Sequence, residues 1–312
     1  MRAAGVTQTG GPVTLLDLAD PRPLRDGELL LEVQASGVGN WDEFVRTGGW
    51  ATGARPPMAL GVEAAGTVAA VGPAVPGFQL GDRVSTHSLP LPEQGCWAEL
   101  FIAAAAQAAA VPAGVPWDVA GAFPVPALTA DQALTEAVQL RPGESVLIHG
   151  AGGVTGGLLV QLAAHYGARV IATGGPASLD RLRGLGAATV LDYQEPGWPG
   201  QVCWLTDRGA DMAVNAARGG AADAVRAVRP GGRLATLTGD PPPAERGITV
   251  RAVQVEPDGP RLGKLAGLLG HGVLSVTVGG SFPLDQAAQA LDQVRHGAHG
   301  TAIVLRPGQP GR

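Results

Sequence analysis

The chain has 312 residues, of which 45 % are apolar and 16 % charged, with a formal charge of −5. That length points to two domains, the composition excludes a disordered chain, and scattered basic residues under a net negative charge exclude a nucleic-acid surface. No window approaches the roughly 20 apolar residues of a membrane span, the N-terminus shows no apolar leader, and two cysteines, Cys96 and Cys203, cannot build a disulfide framework, so a reducing cytoplasm is expected.

In chain order, the first third reads as short strands joined by Gly/Pro turns. Leu29–Val33, Gly66–Val71 and Arg83–Ser85 are β-like, with Gly48-Gly49, Pro56-Pro57 and Gly81-Asp82 between them. From Asp118 to Leu140 apolar residues recur at helical spacing, and Pro124 and Pro126 are expected to break that helix in two. Ser145–His149 is a compact buried-strand run, followed by glycines and an apolar helix at Leu158–Ala163. A strand at Ala168–Ala172, a helix at Leu179–Leu185, and the runs Thr189–Leu191, Met212–Val214, Ala221–Val228 and Gly232–Leu237 continue the alternation. Alternating strands and helices predict an α/β fold with a parallel sheet covered on both faces. After Arg261 the pattern gives a helix, a strand at Leu274–Val278, a helix at Leu284–Val294 and a last strand at Thr301–Leu305.

Glycines stand at Gly150, Gly153 and Gly156, between the strand Val146–Ile148 and the apolar helix that follows. In a chain with 48 glycines the spacing alone is weak; its place between strand and helix is what gives it meaning. Glycine lets the backbone approach a pyrophosphate, and the helix N-terminus offers free N–H groups and partial positive charge. A tight turn without a ligand is the alternative. The second strand ends in Thr173-Gly174-Gly175-Pro176-Ala177-Ser178, with no acid to bind a ribose 2′-hydroxyl and repel a 2′-phosphate. Asp180 reads as a helix-start carboxylate, and Arg181 and Arg183 as 2′-phosphate contacts or as solvated helix residues. NADP(H) is favoured, with NAD(H) the alternative.

At this point the chain resembles the medium-chain dehydrogenase/reductase superfamily, and within it the zinc-independent quinone oxidoreductase branch. The resemblance rests on Leu60-Gly61-Val62-Glu63-Ala64-Ala65-Gly66, Gly77-Phe78-Gln79-Leu80-Gly81-Asp82-Arg83-Val84, His149-Gly150-Ala151-Gly152-Gly153, Arg229-Pro230-Gly231-Gly232-Arg233 and the closing Gly300–Leu305. It implies a GroES-like β-barrel domain over residues 1–118 and 261–312, and a Rossmann domain with a doubly wound parallel sheet over residues 119–260. It also implies a homodimer paired through strands near Ile248–Val255. The zinc-bearing members place Cys, His and Cys at positions matching Gly39, Val62 and Val125, none of which can ligate a metal. No metal is therefore expected, and His87 and His149 read as surface or turn residues.

The same resemblance makes Asn40 the donor to the acceptor oxygen, with Asp42 and Arg46 holding the segment; an ordinary i,i+4 pair between Asp42 and Arg46 is the alternative. Phe44 stands where several quinone reductases carry tyrosine, which makes solvent a plausible proton source. Trp41, Phe44 and Trp50 are read as an aromatic wall for a flat substrate, with core packing the alternative for Trp50. Matching positions put Pro126 and Thr129 near the nicotinamide, and Gly150, Gly153, Val154, Thr155 and Gly156 at the pyrophosphate. Thr173, Gly174, Gly175 and Tyr193 fall around the adenosine, Asn215, Thr238 and Gly239 at later strand ends, and Thr301 where a lysine is frequent. The usual 2′-phosphate contacts correspond to Gly175 and Ala177 and are lost. The expected activity is hydride transfer from NAD(P)H to a quinone or an activated alkene or carbonyl. A non-catalytic NADPH-binding regulatory or structural protein stays open, as does an enoyl reductase or alcohol dehydrogenase-like enzyme. The expected partner is a small electrophile, with no nucleic acid and no membrane.

Overall fold

The computed structural model describes residues 1–308. By internal contacts the chain divides into two units: residues 1–128 together with the chain from 256 onward, and residues 129–255.

The first unit is β-rich. Its strands are β1 (Arg2–Val6), β2 (Thr14–Asp17), β3 (Glu28–Val38), then helix α1 (Asn40–Arg46), β4 (Met58–Ala59), β5 (Glu63–Val71), β6 (Arg83–His87), β7 (Leu100–Ala104) and β8 (Ala108–Ala110). Two helices follow, α2 (Trp117–Gly121) and α3 (Pro124–Gln132). The break between them falls where the prolines predict it, but Pro124 and Pro126 sit in the first turn of α3, where a missing N–H costs nothing. β3 runs down the middle of the larger sheet, pairing antiparallel with β5 and β7. Leu29, Leu31, Val33 and Ala35 alternate inward along it and are buried, while Glu32 is exposed.

The second unit carries the alternating pattern. Its elements are β9 (Ser145–His149), α4 (Val154–His165), β10 (Arg169–Gly174), α5 (Leu179–Gly184), β11 (Thr189–Asp192), α6 (Trp198–Leu205), β12 (Ala210–Asn215), α7 (Ala221–Arg226), β13 (Val228–Thr236) and β14 (Thr249–Ala252). All six strands are parallel, in the order β11-β10-β9-β12-β13-β14. The chain therefore steps outward from β9 to β11, then returns to the far side of β9 with β12. The order reverses between β9 and β12, and in open α/β sheets ligands bind outside the C-terminal ends of the strands at such a point. Leu147, Ile171, Ala213 and Leu234 lie in one register row and are fully buried, packing with Trp198 and Val202 of α6 and Ala224 and Val225 of α7. That row fixes the height at which each strand delivers its last residue.

The final segment returns to the first unit as α8 (Gly259–Gly270), β15 (Val278–Phe282), α9 (Ala287–His296) and β16 (Ala302–Leu305). Here the strand expected at Leu274–Val278 is displaced: it begins at Val278 and runs through Gly279-Gly280-Ser281 to Phe282. It exists because β16 pairs with it, and β16 in turn pairs with β3. Among the described residues no helix is long and apolar enough to cross a membrane.

Candidate active site

Four strands of the second unit carry polar residues in one row at or next to their C-terminal ends. His149 of β9 is level with Thr173 of β10 and Asn215 of β12, and Asn215 with Thr236 of β13. All four are buried. Buried polar atoms are costly unless bonded, and these are bonded to one another and to the loops above them. His149 Nδ1 and Thr173 Oγ1 are 2.7 Å apart, and Thr173 Oγ1 also takes the Gly150 N–H at 3.3 Å. Asn215 Nδ2 donates to Thr236 and Thr238 hydroxyls, both at 3.1 Å, while its Oδ1 accepts the Ala217 N–H at 3.1 Å. The expectation of His149 as a surface residue is overturned: the ring stacks on Trp198 at 4.7 Å between centroids and is 5 % exposed. Burial pushes its pKa down, opposed by the Asp223 charge.

The loop after β9 needs its glycines. Gly150 adopts φ +82°, and a Cβ on it would lie 2.6 Å from the Ala217 nitrogen. A Cβ on Gly156 would lie 2.4 Å from the Gly150 carbonyl oxygen. Gly153, the N-cap of α4, faces open space apart from the Gly150 oxygen at 3.9 Å. The first-turn N–H groups of α4, from Val154 and Thr155 onward, have no intrahelical acceptor by helix geometry. An open, glycine-walled cradle at the N-terminus of a 12-residue helix fits a pyrophosphate. At the end of β10, a Cβ on Gly174 would meet Ser178 Oγ at 2.3 Å, and the half-exposed Tyr193 ring lies 3.5 Å from the Cβ position of Gly175. Gly239 adopts φ +72° with open space around it. The row thus gathers Gly150, Gly153, Val154, Thr155, Gly156, Thr173, Gly174, Gly175 and Tyr193 with Asn215 and Thr238. Thr129 belongs to the same unit, just after α3 begins.

The first unit holds Asn40, Trp41, Asp42, Phe44, Arg46 and Trp50 on and after α1, with Pro126 buried in α3. Asn40 is exposed. Asp42 is fully buried: Oδ2 accepts the Gly39 N–H at 2.8 Å, and Oδ1 has no partner. Burial pushes its pKa up to about 8, against the Gly39 hydrogen bond. The alternative arrangement, an Asp42–Arg46 pair, is not formed. Arg46 instead makes a two-pronged pair with Glu43, at 2.7 and 2.8 Å, and donates to the Gly10 and Gly11 carbonyls. The reason is direction: Asp42 turns inward to cap the helix, leaving Glu43 on the arginine's face.

The indole of Trp41 folds over Gly39, with ring carbons 2.2 Å from where a Cβ on that glycine would stand. Phe44 is 50 % exposed, and Trp50 lies beside the His87 ring, 6.4 Å between centroids. Thr301 is turned into its own loop, donating to the Ala298 carbonyl at 2.7 Å.

Two further groups in this unit escaped the sequence reading. Glu63 is buried, accepts the Val125 N–H at 2.7 Å, and its pKa is raised by burial and further by Asp42. Its signal was visible, a single carboxylate inside the apolar run Leu60–Ala65. His87 is also buried rather than at the surface. Its Nδ1 bonds to the Val62 carbonyl at 3.1 Å, which must accept, so Nε2 is a bare acceptor without a partner. Burial pushes its pKa down to about 4. Among the described residues no three His, Cys, Asp or Glu side chains gather as a metal would require.

A six-stranded parallel sheet with a glycine loop at its reversal, in a chain whose other unit is β-rich and built from both chain ends, defines the class of two-unit dinucleotide oxidoreductases. Comparison with known proteins agrees. Residues 25–114 match the alcohol dehydrogenase GroES-like domain, and residues 185–305 the zinc-binding dehydrogenase family. Quinone oxidoreductase of Sus scrofa is 30 % identical, the match covering 98 % of each chain. The spectinabilin polyketide synthase system protein NorB of Streptomyces orinoci is 36 % identical over 73 % of this chain, which spans 10 % of that much longer protein. Among solved structures, mycobacterial Rv1454c complexed with NADPH is 30 % identical with a TM-score of 0.85, over 98 % of this chain and all of that one. The chain belongs to the quinone oxidoreductase branch of the medium-chain dehydrogenase/reductase superfamily.

Proposed function

We propose that the protein transfers a hydride from NADPH to a small electrophile, a quinone or an alkene conjugated to a carbonyl, without a catalytic metal. The observation that carries this reading is the cradle at the head of α4, with no carboxylate at the end of β10 to repel a 2′-phosphate. The bound cofactor supplies the hydride from its reduced nicotinamide. The chain's own residues do the rest. The loop from Gly150 to Gly156 takes the pyrophosphate, and Thr173, Gly174, Gly175 and Tyr193 surround the adenosine. Asn215, Thr238 and Gly239 lie at the later strand ends, while Thr129, in the same unit, takes a further cofactor contact. The exposed Asn40 amide donates to the acceptor oxygen as negative charge develops there. Asp42 and Arg46 hold that segment by capping α1 and by clamping it to Gly10 and Gly11. Solvent delivers the proton, since Phe44 offers no hydroxyl.

Metal-free operation is supported by the donor set. Gly39, Val62 and Val125 carry no ligating atoms, and the Trp41 indole fills the volume a side chain at position 39 would need. We place the protein in the cytoplasm, with Cys96 and Cys203 as free thiols. We further propose a homodimer formed through β14, the edge strand of the parallel sheet. Chelator-dialysed protein oxidising NADPH with phenanthrenequinone or an enone, at a rate that added zinc does not raise, is the expected result. Nucleotide binding without turnover on any such acceptor would favour a regulatory role instead.

A further inference from the structure

Two arginines lie two positions apart on α5, and they are built differently. Arg183 is exposed and paired with Asp180 at 2.5 Å. Arg181 is half-buried and turned onto the glycine loop, where Nη2 donates to the Gly152 carbonyl at 2.6 Å. Its Nη1 lies 3.3 Å from the Cβ position of Gly157, in the first turn of α4. Among the described residues no carboxylate pairs with it. Burial alone pushes its pKa down, with no opposing acid to raise it.

Taking a guanidinium partly out of water with a single carbonyl as compensation is unfavourable. Of its five N–H donors that carbonyl uses one. The remaining donors are free to meet solvent or an anion at the mouth of the loop. Its neighbours are permissive: Gly152 faces Ser178 Oγ across 3.4 Å of Cβ space, Gly174 and Gly175 have no side chains, and Ser178 Oγ is occupied with the Gly175 carbonyl at 2.8 Å. Asp192, level with Gly174 in the sheet, is engaged by the Gln194 N–H at 2.9 Å.

We propose that Arg181 is the residue that selects NADPH over NADH, its planar guanidinium receiving the phosphate monoester on the adenosine ribose. The inference rests on the reading of this loop as a nicotinamide-dinucleotide site. It assigns to a helix residue the role that Gly175 and Ala177 cannot fill. A planar fork matches a phosphate in two bonds, and a lysine ammonium reproduces only the charge.

The test is a binding titration of wild type, Arg181→Met and Arg181→Lys with NADPH and NADH, followed by nucleotide fluorescence, with thermal melts as a check on folding. Methionine keeps the stem that packs over Gly157 and removes the charge. Wild type should bind NADPH the more tightly. Arg181→Met should weaken NADPH by about 10- to 100-fold and NADH by less than about threefold, and Arg181→Lys should recover part of the loss. Adenosine 2′,5′-bisphosphate should lose affinity with NADPH, and ADP should follow NADH. Equal losses for both nucleotides would mean that Arg181 braces the loop or meets the pyrophosphate, and would overturn the inference alone. Failure of wild type to bind either nucleotide would overturn the loop reading and this inference with it.

Discussion

The heads of the strands in the second unit and the α1 segment of the first both bury polar groups, but they settle them in opposite ways. In the second unit His149, Thr173, Asn215 and Thr236 answer one another and the loops above them. In the first unit Asp42 Oδ1, His87 Nε2 and Trp41 Nε1 are buried without partners, and two carboxyls, Asp42 and Glu63, share the same interior. Each unmatched atom costs about 1–3 kcal/mol. The satisfied row leaves each of its polar groups with a partner inside the second unit. The unsatisfied interior makes the first unit the part whose stability depends most on protonation.

That contrast is broken most sharply by pH. Folded Asp42 holds its proton to about pH 8, whereas the ordinary value is 3.8. Between those values the unfolded chain releases a proton that the folded chain keeps, so stability falls as pH rises through this window and levels above it. The slope is about 1.4 kcal/mol per pH unit for one such group. Glu63, also raised, adds to it. His87 acts in the other direction: its folded value of about 4 lies below the ordinary 6.5, so its contribution is present above pH 6.5 and lost as pH falls toward 4. Denaturant melts across this range should show Asp42→Asn, whose amide oxygen can still accept from Gly39, losing much of the decline between the ordinary 3.8 and about 8. An unchanged pH profile would show that Asp42 is ionised in the fold.

Gly150→Ala sharpens the other side. With φ +82° and the Ala217 nitrogen 2.6 Å from the added methyl, the loop must shift. NADPH affinity should drop by about 100-fold, near 3 kcal/mol, in a fluorescence titration. Retained affinity would mean that the loop does not contact the nucleotide.

Gly39→Cys combined with Val62→His restores two zinc-type ligands in the first unit. The Trp41 ring stands in the way, so the double variant should lose about 1–3 kcal/mol of stability and take up no zinc by metal analysis. Stoichiometric zinc in a stable variant would show that the indole yields. The smallest effect is expected from Arg46→Ala, which removes the bonds to Glu43, Gly10 and Gly11 and should cost about 1 kcal/mol in thermal melts.

The sequence made the second unit legible because strand, glycine loop and apolar helix follow one another within about 20 residues, and local pattern decides them. It misled where an element depends on a distant partner. Val278-Gly279-Gly280-Ser281-Phe282 has little strand character, and pairing with β16 alone makes it one. His87 and His149 look like turn residues in sequence because the Val62 carbonyl, Thr173 and Trp198 arrive from elsewhere in the fold. Arg181 and Arg183 are indistinguishable as letters, and only helix phase turns one toward Gly152.

The most direct test of the account is a titration of metal-stripped wild-type protein with NADPH and with NADH. Saturable binding of both, with NADPH at least about tenfold tighter, is the predicted result, equivalent to about 1.4 kcal/mol for the 2′-phosphate. Binding of neither, or binding that appears only after zinc is restored, would contradict the account at its centre.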